Sequence, residues 1–185
     1  IRVPPCAAHG SSGACDVPGA HGRRVAGDYE AGSDGGCVLT VDGKRYYFLY
    51  WEAGATTTQA LTGERVLLHR ATYMTEFEEV LGRMGLSSGE LTDMVTSFTV
   101  EMEMSAAVCL TVFDASYDAV VPLSVDGFDQ IHRVVVGIDC VGTKVADELV
   151  KGGVVQDMQQ LTRRTRPQGK FVVELGGVVE SVSMQ

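Results

Sequence analysis

Two hydrophobic periods occupy separate blocks of this chain, and together they limit the fold more than any other feature. Phe77, Val80, Leu81 and Met84 fall at i, i+3, i+4 and i+7, and Leu91, Met94, Val95 and Phe98 repeat that spacing. Past residue 107 the period drops to two, with Val108, Leu110 and Val112 alternating with Cys109, Thr111 and Phe113. A helical stripe and a strand face each need a partner surface, and helices and strands in separate runs belong to the α+β class. The expected architecture is a mostly antiparallel sheet covered on one face by an αα-hairpin, with a flexible Gly-rich N-terminal tail.

Local signals fill in this outline. Thr75 with Glu78 and Ser87 with Glu90 have capping-box spacing, where hydroxyl and carboxylate satisfy the first amides of a helix. Gly85 stops the first helix, and the short link to the second makes the pair an αα-hairpin. Val38–Val41, Asp42-Gly43 and Lys44–Ala53 read as a β-hairpin with a type I′ turn. Its second arm holds Tyr46, Tyr47, Phe48, Tyr50 and the single Trp, Trp51, as a strand covered on both faces would. Residues 54–70 read as polar and irregular. Ala119–Val125, with Pro122 marking an edge or bulge, and Ile131–Ile138 read as further strands around an Asp126-Gly127 turn. Residues 141–168 are weakly patterned, with a short helix at Gln156–Arg164. Strands 171–174 and 178–182 close the sheet around a turn at Gly176-Gly177, and Gly152-Gly153 reads as another turn.

Residues 1–36 contain no Leu, Phe, Trp or Met but eight of the 22 glycines. Such a segment buries too little apolar area to offset its ordering entropy, so 1–36 reads as a poorly ordered tail or loop and 37–185 as a single α+β domain. Ile1 is not a Met and no signal-like apolar core follows, which reads as a trimmed start. The net charge of −9 repels phosphate backbones and anionic headgroups, so neither nucleic acid nor a membrane surface is expected as a partner. No apolar run is long enough to span a bilayer. Five cysteines, an odd number, argue against a disulfide scaffold and for a reducing, cytoplasmic setting. Cys109 and Cys140 sit in apolar runs and read as small hydrophobes. Cys6, His9, Cys15 and His21 are the one candidate metal set, since thiolate and imidazole suit zinc, but they lack a C-x2-C knuckle.

The order of motifs resembles a family of uncharacterised, mostly bacterial proteins. An aromatic strand closing on Trp-Glu corresponds to Tyr47–Glu52, and a Phe-Leu-x-x-x-Leu-x-x-Leu-Gly-Leu helix to Phe77–Leu86. A Glu-x-x-Asp-Phe helix corresponds to Glu90, Asp93 and Phe98, with Met102 and Phe113 at the spacing that follows. Tyr117–Arg133 is similar to the family's Tyr/Leu segment and Asp-x-x-x-Arg-Val, and Val172–Gly177 to its Val-Val-Glu-Trp-Gly-Gly. The likeness spans about residues 40–178. This sequence lacks the family's Lys-Pro-Val-Ile-Tyr-Leu-Tyr-Pro segment, Val100 stands for a usual proline, and Leu175 for the final Trp. The resemblance implies a fold pattern and no reaction.

Candidate chemistry centres on Glu52 and Glu174, each at the end of an apolar strand, and on Arg133 between Ile131 and Val134. A desolvated carboxylate has a raised pKa and can serve as general acid or base. Two of them with an arginine could cleave a glycosidic bond. With Trp51 the same residues could instead bind a polar ligand. The structural alternative, which the residues favour, has Arg133 paired with Glu52 or Glu174 to hold strand register. His69, His132, Ser124 and Cys109 form no recognisable triad. No phosphate-cradling glycine motif is present, so no cofactor is expected. Arg163, Arg164 and Arg166 read as a solvated basic face. The function expected is therefore a non-enzymatic interaction or ligand-binding module for an unknown protein or small molecule. The alternative is a carboxylate-dependent hydrolase using Glu52 and Glu174.

Overall fold

A computed structural model describes residues 61–103, 105–125, 128–169 and 171–180. The tail at 1–36, the hairpin of 38–53, Trp51, Glu52 and the Cys6, His9, Cys15, His21 set lie outside the described residues. The chain divides into two compact units: residues 1–61, 115–133 and 167–176 form one, and residues 62–114, 134–166 and 177–185 the other.

The described elements are β1 (Gly63–His69), α1 (Tyr73–Arg83), α2 (Ser88–Glu103), β2 (Ala107–Phe113), α3 (Ser116–Val120), β3 (Ser124–Val125), β4 (Gln130–Val141), α4 (Thr143–Lys151), a 3-10 turn (Met158–Gln160) and β5 (Phe171–Glu180). Strands β5-β4-β2-β1 are neighbours in that order in a mostly antiparallel sheet, so the fold is α+β. β2 pairs antiparallel with β1, Val66 opposite Leu110, and with β4, Ile138 opposite Leu110. Every residue of β2 is buried, which explains why its run is apolar on both faces.

α1 packs on α2 and on β1. Its stripe of Phe77, Val80, Leu81 and Met84 is wholly buried, as the 3.6 period requires. The helix ends in a Schellman motif: Gly85 N–H donates to Gly82 O (3.1 Å), Leu86 N–H to Leu81 O (3.4 Å), and Gly85 holds φ +80°. At the other end the helix begins a turn earlier than the Thr75/Glu78 spacing implies. Thr72 Oγ1 donates to Glu76 Oε1 (2.9 Å), and Glu76 Oε2 accepts from His69 N–H (2.7 Å). The Ser87/Glu90 signature fares better, because Glu90 Oε2 reaches back to Ser87 N–H at 2.7 Å.

Four other expectations are corrected. The stretch read as irregular contains β1, whose buried Val66 and Leu68 share a face with Glu64. That carboxylate obscures the alternation, and Gln156 and Thr162 satisfy it. Ala119–Val125 is not one strand: α3 ends at Val120 and only Ser124–Val125 is extended. In the weakly patterned region α4 is a full helix, with Val145, Ala146, Leu149 and Val150 at helical spacing along one side and Ala146 buried; the helix expected at 156–164 shrinks to the 3-10 turn. Gly176-Gly177 lies inside β5 and makes no turn, and a Cβ at Gly177 would run into the Phe98 ring.

Candidate functional site

Of the four residues expected to line a site, Arg133 and Glu174 are described, and they meet. β4 carries Arg133 near its start and β5 carries Glu174, within the same compact unit. Arg133 Nε donates to Glu174 Oε2 in a close ion pair. Arg133 Nη1 donates to Asp118 Oδ1 (2.7 Å) and to Val121 O (2.8 Å). The guanidinium carbon lies 4.9 Å from the centre of the Tyr117 ring, a cation–π arrangement. α3 supplies both Tyr117 and Asp118, so the stretch misread as strand in fact delivers two of the partners.

Exposure is graded along this chain of charges. The side chains of Glu174, Arg133 and Asp118 are 0%, 12% and 57% exposed. The guanidinium therefore bridges a sealed carboxylate to one that faces solvent. Burial pushes the Glu174 carboxyl above its ordinary pKa, with help from nearby Asp118 and against the pull of Arg133. Burial also lifts the Tyr117 hydroxyl, pushed up to about 12, with the Glu174 charge adding to the effect. Burial opposes the charge on Arg133, yet Glu174 and Asp118 hold its pKa above the usual value.

The other groups considered for catalysis are arranged less favourably. Cys109 is buried in β2, and burial followed by the Asp139 charge pushes its thiol up, away from the nucleophilic thiolate. Ser124 is exposed on its short strand, and His132 is buried. Among the described residues no group of three or more His, Cys, Asp or Glu could hold a metal ion. No helix among them is long and apolar enough to cross a membrane.

The basic cluster is not a solvated face. Arg166 Nη2 donates to Glu90 Oε1 at 2.8 Å, its Nη1 pairs with Glu90 Oε2, and Nη1 also reaches Gly85 O (3.3 Å). Arg164 Nη2 donates to Phe113 O (2.6 Å), while Arg163 is exposed. Sequence spacing gave no sign of these pairs, because their partners lie 51 to 81 residues away. No family model, curated protein or solved structure matches this chain.

Proposed function

We propose that this chain is a soluble, cytoplasmic, non-enzymatic binding module for a protein or small molecule, in which Arg133 and Glu174 hold the scaffold together. The observation that carries the reading is the state of Glu174: it has no exposed surface and is capped by Arg133, itself tied to Asp118 and Val121. A catalytic carboxylate has to meet its substrate, and this one meets a guanidinium. The reading includes the helical pair α1 and α2 as the cover of one sheet face, a Gly-rich tail before it, and the resemblance to the bacterial family noted above. Trp51 and Glu52 would then belong to the binding surface, with Arg133 and Glu174 as its structural support rather than as contacts.

One observation favours the second reading, a hydrolase using Glu52 and Glu174. Burial raises the Glu174 pKa, the direction a general acid needs. The two readings part in one experiment. Wild type and Glu174→Gln are assayed on a panel of chromogenic glycosides, and their thermal unfolding is recorded beside the assay. The binding reading expects turnover at the blank for both proteins and a lower melting temperature for the variant. Turnover by wild type that disappears in Glu174→Gln at unchanged melting temperature overturns it.

A further inference from the structure

We propose that the outer edge of β1 is a strand-addition surface for a second copy of this chain, held shut by the segment 152–166. This gives the binding reading a surface and a partner, and rests on that reading. Its test reads mass, so its failure is distinct from the turnover result that would overturn the reading itself.

Among the described residues β1 ends its sheet, with β2 on one side. In an antiparallel edge strand alternate residues turn both backbone groups outward. Arg65 and His69 belong to that outward set: Arg65 O accepts from Gln156 N–H at 2.8 Å, and His69 N–H donates to Glu76 at 2.7 Å. The two-residue period places Gly63 and Leu67 in the same set. An outward row of backbone groups through Gly63, Arg65, Leu67 and His69 is the kind of edge that proteins shield from further pairing.

The shield here is the segment after α4. Gln156 makes a parallel bridge to Val66, so part of the edge already carries a fragment of added strand. Apart from the 3-10 turn the segment has no regular structure, and only Leu161 among its apolar side chains is buried. Polar contacts supply most of its anchorage. Gln156 Nε2 (3.0 Å) and Thr162 Oγ1 (3.1 Å) donate to Glu64, Gln159 engages Glu79 and Arg83, and Arg164 and Arg166 reach Phe113 O and Glu90. A segment with so little buried apolar surface opens at a lower cost than the fold as a whole.

The sequence of β1 suits a second copy as occupant. Antiparallel pairing centred on Val66 sets Arg65 opposite Leu67, Glu64 opposite Leu68 and Gly63 opposite His69, so no like charges meet. Arg65 and Leu67, both in the outward set, become the hydrogen-bonded pair, and the two-fold contact closes on itself. Shifting the centre to Arg65 would bring two arginines face to face, which disfavours that register.

The test is a released variant of the full chain, Gln156→Pro with Glu64→Ala, which removes the donor to Arg65 O and the Gln156 and Thr162 anchor. Light scattering on the chromatographic peak is expected to show a doubling of mass at tens of micromolar, with the circular dichroism of wild type retained. Adding Leu67→Pro deletes an outward N–H at an edge position, where proline is tolerated, and is expected to restore the monomer mass. A folded released variant that stays monomeric while hydrogen exchange shows 152–166 open overturns the proposal, as does a dimer that survives Leu67→Pro. If the double variant does not fold, Gln156→Pro alone is titrated with a synthetic peptide of residues 62–69. Binding that is lost with the Leu67→Pro peptide supports the surface, and no binding at millimolar peptide rejects it.

Discussion

Two Arg–Glu pairs hold two parts of this molecule, and burial acts on their carboxylates in the same direction with opposite net results. Glu174 is sealed and ends with a raised pKa, whereas Glu90, also buried, ends with a lowered one. The difference lies in the donors. Glu174 receives one guanidinium nitrogen from Arg133 and feels the negative charge of Asp118 nearby. Glu90 receives both terminal nitrogens of Arg166 and, in addition, Ser87 N–H at the start of α2. Hydrogen bonds to the ionised form offset desolvation only when enough of them converge. The comparison teaches that Glu90 is a satisfied charge, whereas Glu174 is tolerated because Arg133 is there.

The largest test of that contrast removes the arginine from each pair. Arg133→Ala leaves a fully buried carboxylate without its counterion and is expected to cost about 3–5 kcal/mol in urea unfolding. Replacing both members with apolar residues, Arg133→Met with Glu174→Leu, should recover most of that loss, since a buried pair is rarely worth more than well-packed side chains. A double variant no better than Arg133→Ala would show that Glu174 does something beyond balancing Arg133.

Arg166→Ala should cost less, about 2 kcal/mol, because Glu90 keeps Ser87 N–H and lies nearer to solvent. Here a second substitution, Glu90→Ala, is not expected to restore stability, as it also removes the carboxylate that caps α2. Recovery in this double variant would erase the distinction between the two pairs.

How much of this was legible beforehand follows from where the information sits. The stripe of α1, its stop at Gly85 and the apolar strand run of β2 are local, and they read correctly because each residue's neighbours in sequence are also its neighbours in space. Glu90 was legible as a cap for the same reason, three residues from Ser87. Its pairing with Arg166, 76 residues away, was not. Arg133 was legible as a buried charge in need of a carboxylate, since an arginine inside a β-branched run has few alternatives, and Glu174 was one of the two partners expected for it. Asp118 and Tyr117 were missed, because Ala119–Val125 carries enough β-branched residues to pass for a strand and α3 is only five residues long. α4 carries Val145, Ala146, Leu149 and Val150 at helical spacing, but it is only nine residues long and its N-cap is Gly142, with no side-chain cap, so no start signal drew attention to the stripe. Gly177 deceived in the other direction: a Gly-Gly pair reads as a turn until the Phe98 ring occupying the missing Cβ is seen.

The smallest effect, and the sharpest, is in the pH dependence of stability. Glu90 has a folded pKa below its ordinary value, so its contribution is present above that ordinary value, near 4.5, and is lost as pH falls through the lowered one. Glu174 has a folded pKa above its ordinary value, so its contribution is present below about 4.5 and is lost as pH rises through the raised one. Glutamine titrates at neither position. Relative to wild type, Glu90→Gln should therefore look progressively less destabilised as pH falls below about 4.5. Glu174→Gln should look less destabilised as pH rises above it. The measurement is urea unfolding of the three proteins between pH 3 and 7, with the differences plotted against pH. Slopes of opposite sign confirm that donor count separates the two pairs. Slopes of the same sign would mean that Arg133 holds Glu174 ionised as firmly as Arg166 and Ser87 hold Glu90, and the contrast between a tolerated and a satisfied charge would collapse.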